Sequence, residues 1–268
     1  MLAPFHYEYM IHAMIVATVV GSVCAWLSAY LMLKGWSLMG DALAHAVVPG
    51  VALAYLLNLP YAIGAFFSGL LAAGSMMLVK QKTPLREDAT IGLIFTGFLS
   101  IGLVIASINP VAVNLTGIIL GNMLGIGMTD LIQTLGITAS CASLLLLKWR
   151  EFMLLFFDAD HAYSIGLPVK RLSVLFFMIV SAMAVSALQT VGACLVIALL
   201  VTPGATAYLI TDKFSSLLVW AIGIGGVTSG LGTYASYFLD VTPGGLIVTL
   251  QTLLFISLWL VQRQRCSV

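Results

Sequence analysis

The sequence predicts an all-α protein, a polytopic transmembrane helical bundle of about eight or nine spans in which residues 1–268 form a single domain. Three observations predict this. Hydrophobic residues make up 61% of the chain and charged residues only 8%, with a mean hydropathy of +1.11. Soluble domains carry about 25% charged residues. Apolar runs follow one another with short polar breaks, and a hydrocarbon core takes about 20 such residues per helix. Basic residues occur only in alternate breaks. A soluble fold of this size has no means of hiding so much apolar surface, and no length remains for a second domain.

In chain order, spans are expected at 10–33, 38–57, 61–79, 89–108, 129–147, 172–188, 191–211, 215–237 and 245–262. The first is expected to stay in the mature chain, because Met1 to Met10 holds Glu8 and no Lys or Arg, unlike a signal peptide. Small residues recur every four positions: Gly21, Ala25, Ala29 in the first span, Gly64, Ser68, Ala72 in the third, and Gly226, Gly230 in the eighth. That spacing lets helix backbones approach closely in lipid. Between the fourth and fifth spans, 111–126 is short and rich in Gly and Asn (Asn114, Gly117, Gly121, Asn122, Gly125), which reads as a re-entrant or interfacial segment. Gln189-Thr190 reads as the polar turn between the sixth and seventh spans. Val-Thr-Pro-Gly occurs at 201–204 and 241–244, and a proline near a helix start followed by glycine accounts for both.

Sidedness follows from Lys34; Lys80, Lys82, Arg86; Lys148, Arg150; Lys170, Arg171; Lys213; and Arg263, Arg265. With nine spans and an outside N-terminus, all of these face one side, the cytoplasm, where retained loops are enriched in Lys and Arg. The alternate loops 58–60, 109–128, 189–190 and 238–244 carry none. Cys24, Cys141, Cys194 and Cys266 show no paired spacing and support neither a disulfide framework nor a thiolate metal site.

Ionisable side chains inside spans are costly, roughly 2.5 to 3.5 kcal/mol at the centre of a helix, and mark function by default. The second span opens Ser37-Leu-Met-Gly-Asp41-Ala-Leu-Ala-His45-Ala-Val-Val-Pro49-Gly50. Asp41 and His45 stand four apart and so share a helix face. Carboxylate oxygen with imidazole nitrogen suits first-row divalent metals. Gly40, Ala42, Ala44 and Ala46 leave room around them, and Pro49-Gly50 is placed to kink the helix beside the path. Two ligands do not complete a metal site, and a symmetric dimer supplies a second pair. The competing reading is an Asp–His ion pair that holds helices together. His6 and His12 lie near the outer end of the first span, while Asp130 and Asp240 suit helix ends there.

The polar stretch 148–171 contains Asp158 as a helix N-cap, Gly166 as a stop and Pro168 as a break after it. It predicts a short helix outside the membrane, either a docking element for a soluble partner or a connector resting on the lipid surface. The chain has no GxxxxGK[ST] loop and is expected not to be an enzyme with its own ATP site.

Together these segments resemble the ABC-3 permeases, membrane subunits of bacterial ATP-binding-cassette importers for manganese, iron and zinc. The resemblance runs through nearly the whole chain: Ser37 to Ala54, Arg86 to Phe95, Gly121 to Gly125, Phe157 to Gly166, Thr190 to Gly204 and Asp240 to Leu254. Val47-Val48-Pro49-Gly50 brings it nearest the manganese/iron branch of Sit, Yfe and Mnt type. The resemblance implies a multi-pass protein of the bacterial inner membrane with a cytoplasmic C-terminus. It implies a second permease subunit (homo- or heterodimer), cytoplasmic ATPase subunits that hold the ATP, and an extracytoplasmic metal-binding protein. The lipid bilayer completes the partners, and no nucleic acid is among them. Asp41 and His45 would line the path and coordinate the transported Mn2+, Fe2+ or, third in rank, Zn2+, with no cofactor permanently bound. The pattern Asp158, Ala162, Gly166 would form the coupling helix that fits the ATPase, and alternating access would move the ion. Two rivals use the same residues: an ATPase-independent secondary cation transporter or channel, and a non-transporting scaffold or sensor.

Overall fold

The computed structural model describes residues 3–36, 38–83, 86–108 and 125–266. Among the described residues a 3-10 turn, Ala3–His6, is followed by eleven helices: α1 Glu8–Lys34, α2 Met39–Ala46, α3 Val48–Leu56, α4 Tyr61–Lys82, α5 Glu87–Ile108, α6 Met128–Phe157, α7 Ala159–Ser164, α8 Val169–Val191, α9 Ala193–Ile210, α10 Phe214–Leu239 and α11 Pro243–Cys266. Among the described residues eight helical stretches are long and apolar enough to span, with α2 and α3 together forming one of them, and the apolar part of α9, Cys194–Ile210, is shorter. The expected segment 111–126 falls almost wholly outside the described residues, as does Ser37.

Four boundaries depart from the sequence reading. The second span is two helices: Pro49, in the first turn of α3, has no N–H for the His45 carbonyl four residues back. Val47 between them keeps helical dihedrals, so the axis carries on. Helix α6 runs on through Lys148 to Phe157, where Lys148 pairs with Glu151 at 2.6 Å and Phe152 is buried. Its 30 residues reach about 45 Å, well beyond the hydrocarbon core, so the stretch from Lys148 to Phe157 continues the helix where the sequence reading placed a loop. Gln189-Thr190 is not a turn, because the Thr190 hydroxyl donates to the Ser186 carbonyl at 3.1 Å and α8 continues. The chain turns instead at Gly192, whose φ of +89° suits glycine. Finally, Pro203 sits inside α9 rather than at a start, whereas Pro243 opens α11. At Pro203 the Ser28 hydroxyl of α1 accepts from the Gly204 N–H at 3.0 Å and donates to the Val201 carbonyl at 3.1 Å.

Helix α1 is central. Its Gly21 and Ala25 meet Gly225 and Ser229 of α10 so closely that a Cβ on either glycine would collide with the other helix. The helix ends that carry basic residues gather at one end of the bundle. There Tyr30 of α1 packs on Phe152 and Phe156 of α6, Phe176 of α8 and Phe214 of α10, with ring centroids 5.3–6.2 Å apart. The Tyr30 hydroxyl donates to the Trp149 carbonyl at 3.1 Å. At the opposite end Tyr7 packs on Tyr237 and Phe5 on Tyr234. This antiparallel alternation positions the site.

Candidate functional site

Helix α1 ends at Gly35, in left-handed conformation with φ +72°, and the Trp36 N–H closes back on the Leu31 carbonyl at 2.9 Å. The chain then turns directly into α2. Six of its eight residues are buried: Met39, Gly40, Ala42, Leu43, Ala44 and Ala46. The other two are Asp41 and His45, with side chains 38% and 35% exposed. The most polar strip of the helix is thus the strip the protomer leaves uncovered. Gly40 backs onto Leu200 of α9, where an added Cβ would stand 3.0 Å from the leucine, so α2 lies close against its support.

Asp41 Oδ1 and His45 Nε2 are 3.3 Å apart, longer than the usual 2.9–3.0 Å of a hydrogen bond. Two ligand atoms each about 2.1 Å from one ion lie roughly 3.0–3.4 Å from each other at octahedral to tetrahedral angles. The 3.3 Å separation falls within that range. An ion pair exposed by a third is worth about 0–1 kcal/mol, less than the penalty of placing a charge in a span. The Phe95 ring of α5 lies 5.3 Å from the His45 ring and flanks the site.

The Pro49-Gly50 break is packed on two sides. Ser68 of α4 is buried and its hydroxyl donates to the Ala46 carbonyl at 2.6 Å. A Cβ on Gly50 would collide with the Gly64 carbonyl oxygen, and one on Gly64 with that of Gly50. Gly102 of α5 presses on the same point, where its Cβ would come 2.8 Å from the Pro49 nitrogen. The Pro49-Gly50 segment is thus closely packed by α4 and α5. Sequence reasoning noted Gly64 and Ser68 as small residues without their partners, and it missed Phe95 and Gly102. Their seven-residue spacing, which puts both on one face of α5, was the available signal.

Among the described residues no group of three or more His, Cys, Asp and Glu gathers as a metal site. Asp41 and His45 stand as a pair among the described residues, and His6, His12, Asp130 and Asp240 do not join them. Asp130 lies in the first turn of α6, and Asp240 ends α10 with φ +52°.

At the basic end, the Asp158 carboxylate accepts the N–H groups of Asp160 at 3.0 Å and His161 at 2.9 Å, capping α7. The helix closes with the Gly166 N–H on the Tyr163 carbonyl and the Leu167 N–H on the Ala162 carbonyl, both at 3.0 Å. Gly166 has the positive φ, +86°, that this closure needs. Ala162 is fully buried, while Phe157, Tyr163 and Ile165 are exposed. The short helix is thus seated on the bundle by its alanine, with Asp160, His161, Tyr163 and Ser164 exposed and Phe157 and Ile165 exposed on either side of it.

The ABC 3 transport family model matches residues 6–262. The chelated iron transport system membrane protein YfeC of Yersinia pestis is 58% identical over 256 residues, 96% of this chain and 87% of that one. The manganese transport system membrane protein MntB of a Synechocystis strain is 48% identical, covering 96% and 84%. Among solved structures, PsaBC of Streptococcus pneumoniae in complex with Fab superposes with a TM-score of 0.84 at 33% identity, covering 97% of this chain and 95% of its counterpart.

Proposed function

The chain belongs to the ABC 3 transport family as a multi-pass membrane permease subunit, and from that membership we propose that it carries divalent manganese or ferrous iron into the cytoplasm. The observation that carries the reading is the uncovered Asp41–His45 strip, set at chelating distance on a helix otherwise buried. Relatives named for chelated iron and for manganese support the choice of cation. Zinc ranks third, since mixed oxygen and nitrogen donors accept all three. The membrane is the bacterial inner membrane and the basic end is cytoplasmic.

Two donors from one chain leave the ion's remaining positions open. A second permease subunit, a copy or a homologue, faces the strip and supplies the rest. Asp41 provides negative charge and His45 a neutral imidazole, so the ion sheds water against fixed ligands. Their four-residue spacing on α2 keeps both on one face. The exposed side of α7, with Tyr163 on it, docks a cytoplasmic ATP-binding-cassette ATPase, and Asp158, Ala162 and Gly166 keep that helix in shape. An extracytoplasmic metal-binding protein delivers the ion at the opposite end. In alternating access, ATP turnover favours the inward state only to the extent that the ion binds it more weakly.

Direction is tested in sealed vesicles of both orientations containing the permease and its ATPase. The expected result is uptake of manganese and iron into right-side-out vesicles that hold ATP inside, with none in its absence. Flux at equal rate without nucleotide would assign the chain to ATPase-independent cation transport.

A further inference from the structure

A cavity of about 400 Å³ opens at the basic end, where the ends of α1, α2, α4, α5, α6 and α8 come together. Its walls are apolar, with Met76 of α4, Phe156 of α6, and Phe176 and Phe177 of α8 among them. Two lysines are among its lining residues, Lys34 at the end of α1 and Lys170 at the start of α8. Among the described residues no carboxylate lines the cavity, and neither lysine has an ion-pair partner. The lining hydroxyls are both engaged by their own helices: Thr90 donates to the Arg86 carbonyl at 3.3 Å and Ser173 to the Val169 carbonyl at 2.9 Å.

This composition selects its occupant. Two positive charges repel a metal cation and call for an anion. Apolar walls without free neutral donors do not recognise a sugar or a nucleobase, and they do not hold water well. What remains is an amphiphile with an anionic head and a hydrocarbon tail. The leaflet at this end supplies one, since basic pockets between spans on the cytoplasmic side suit acidic headgroups. We propose that the cavity binds an acidic phospholipid of the inner leaflet, its phosphate between Lys34 and Lys170 and one acyl chain among the methionine and phenylalanine side chains.

The position gives the lipid consequences. Met39, the first residue of α2, and Ala159, the first of α7, both line the cavity. An occupant therefore touches the helix that carries Asp41 and His45 as well as the one proposed to meet the ATPase. The inference goes beyond the transport reading and needs only its sidedness.

The test uses the complete permease–ATPase complex in phosphatidylcholine nanodiscs, titrated with phosphatidylglycerol, with bound lipid per permease chain counted by native mass spectrometry. One phosphatidylglycerol per chain is expected to persist where phosphatidylcholine does not. The double change Lys34→Gln and Lys170→Gln should weaken retention about 30-fold, the combined effect of two ammonium contacts to an anionic headgroup. Ser173→Phe, which fills the slot and keeps both charges, should also release the lipid. Lys213→Gln, at the same end but outside the cavity, should leave it bound. Equal retention of the two lipids, or retention unchanged in both the lysine and Ser173 variants, would overturn the proposal. Displacement by millimolar inorganic phosphate would overturn it too, in favour of a soluble anion site. Lipid retention needs no metal, so this inference and the transport reading fail separately.

Discussion

At the level of single residues, exposure separates a ligand pair from a structural pair. Asp41 and His45 are more than a third exposed, and their mutual attraction is screened accordingly. Asp41→Asn with His45→Gln should therefore shift the unfolding free energy of the assembled permease by no more than about 1 kcal/mol. Denaturant titration of the purified complex checks this. A loss of several kcal/mol would mark the pair as structural. Ser68 behaves oppositely: it is buried and its hydroxyl has one partner. Ser68→Ala should destabilise by about 1–2 kcal/mol, leaving the Ala46 carbonyl without that donor. The pair itself was legible in the sequence, because a carboxylate and an imidazole within an apolar run stand out against it. Ser68, Phe95 and Gly102 were not, since each owes its role to a residue on another helix.

Element boundaries were legible where one residue dictates them and illegible where a neighbouring helix does. Asp158, Gly166 and Pro168 framed α7 correctly, because cap, left-handed closure and break are local chemistry. Thr190 misled, because its hydroxyl satisfies the helix's own carbonyl and its polarity signals no turn. Pro203 misled for another reason: Ser28, on a different helix, supplies the bonds that let proline stay inside α9. Two predictions belong at this scale. Gly64→Val forces a side chain into the Gly50 backbone and should cost about 1–3 kcal/mol or more by overpacking, seen as a lower melting temperature. Asp158→Ala removes the cap of α7, worth about 1 kcal/mol. Its larger effect should be on coupling, with ATP hydrolysis by the partner no longer stimulated by metal while the permease still assembles. Unchanged stimulation would detach α7 from the coupling role.

For the whole molecule, composition specified a multi-pass bundle, and the alternation of basic residues is the ground for the proposed sidedness. Gathered aromatic rings at the basic ends of α1, α6, α8 and α10 put those termini together in space. A cysteine placed at Lys213 in a background lacking Cys24, Cys141, Cys194 and Cys266 should react with an impermeant maleimide only in inverted vesicles. One placed at Asp240 should react only in right-side-out ones. The reverse pattern would invert the proposed topology and move the lipid cavity to the other leaflet. How copies or partners meet was not legible, because nothing within this chain says what covers the partly exposed Asp41–His45 strip.

The central claim is that a divalent cation passes between Asp41 and His45 on its way into the cell, and uptake measures it most directly. Radiolabelled manganese and iron should enter cells carrying the intact system. In cells with Asp41→Asn or His45→Gln uptake should fall to background, with permease and ATPase present at normal levels. Uptake at the intact rate in both variants would contradict the account.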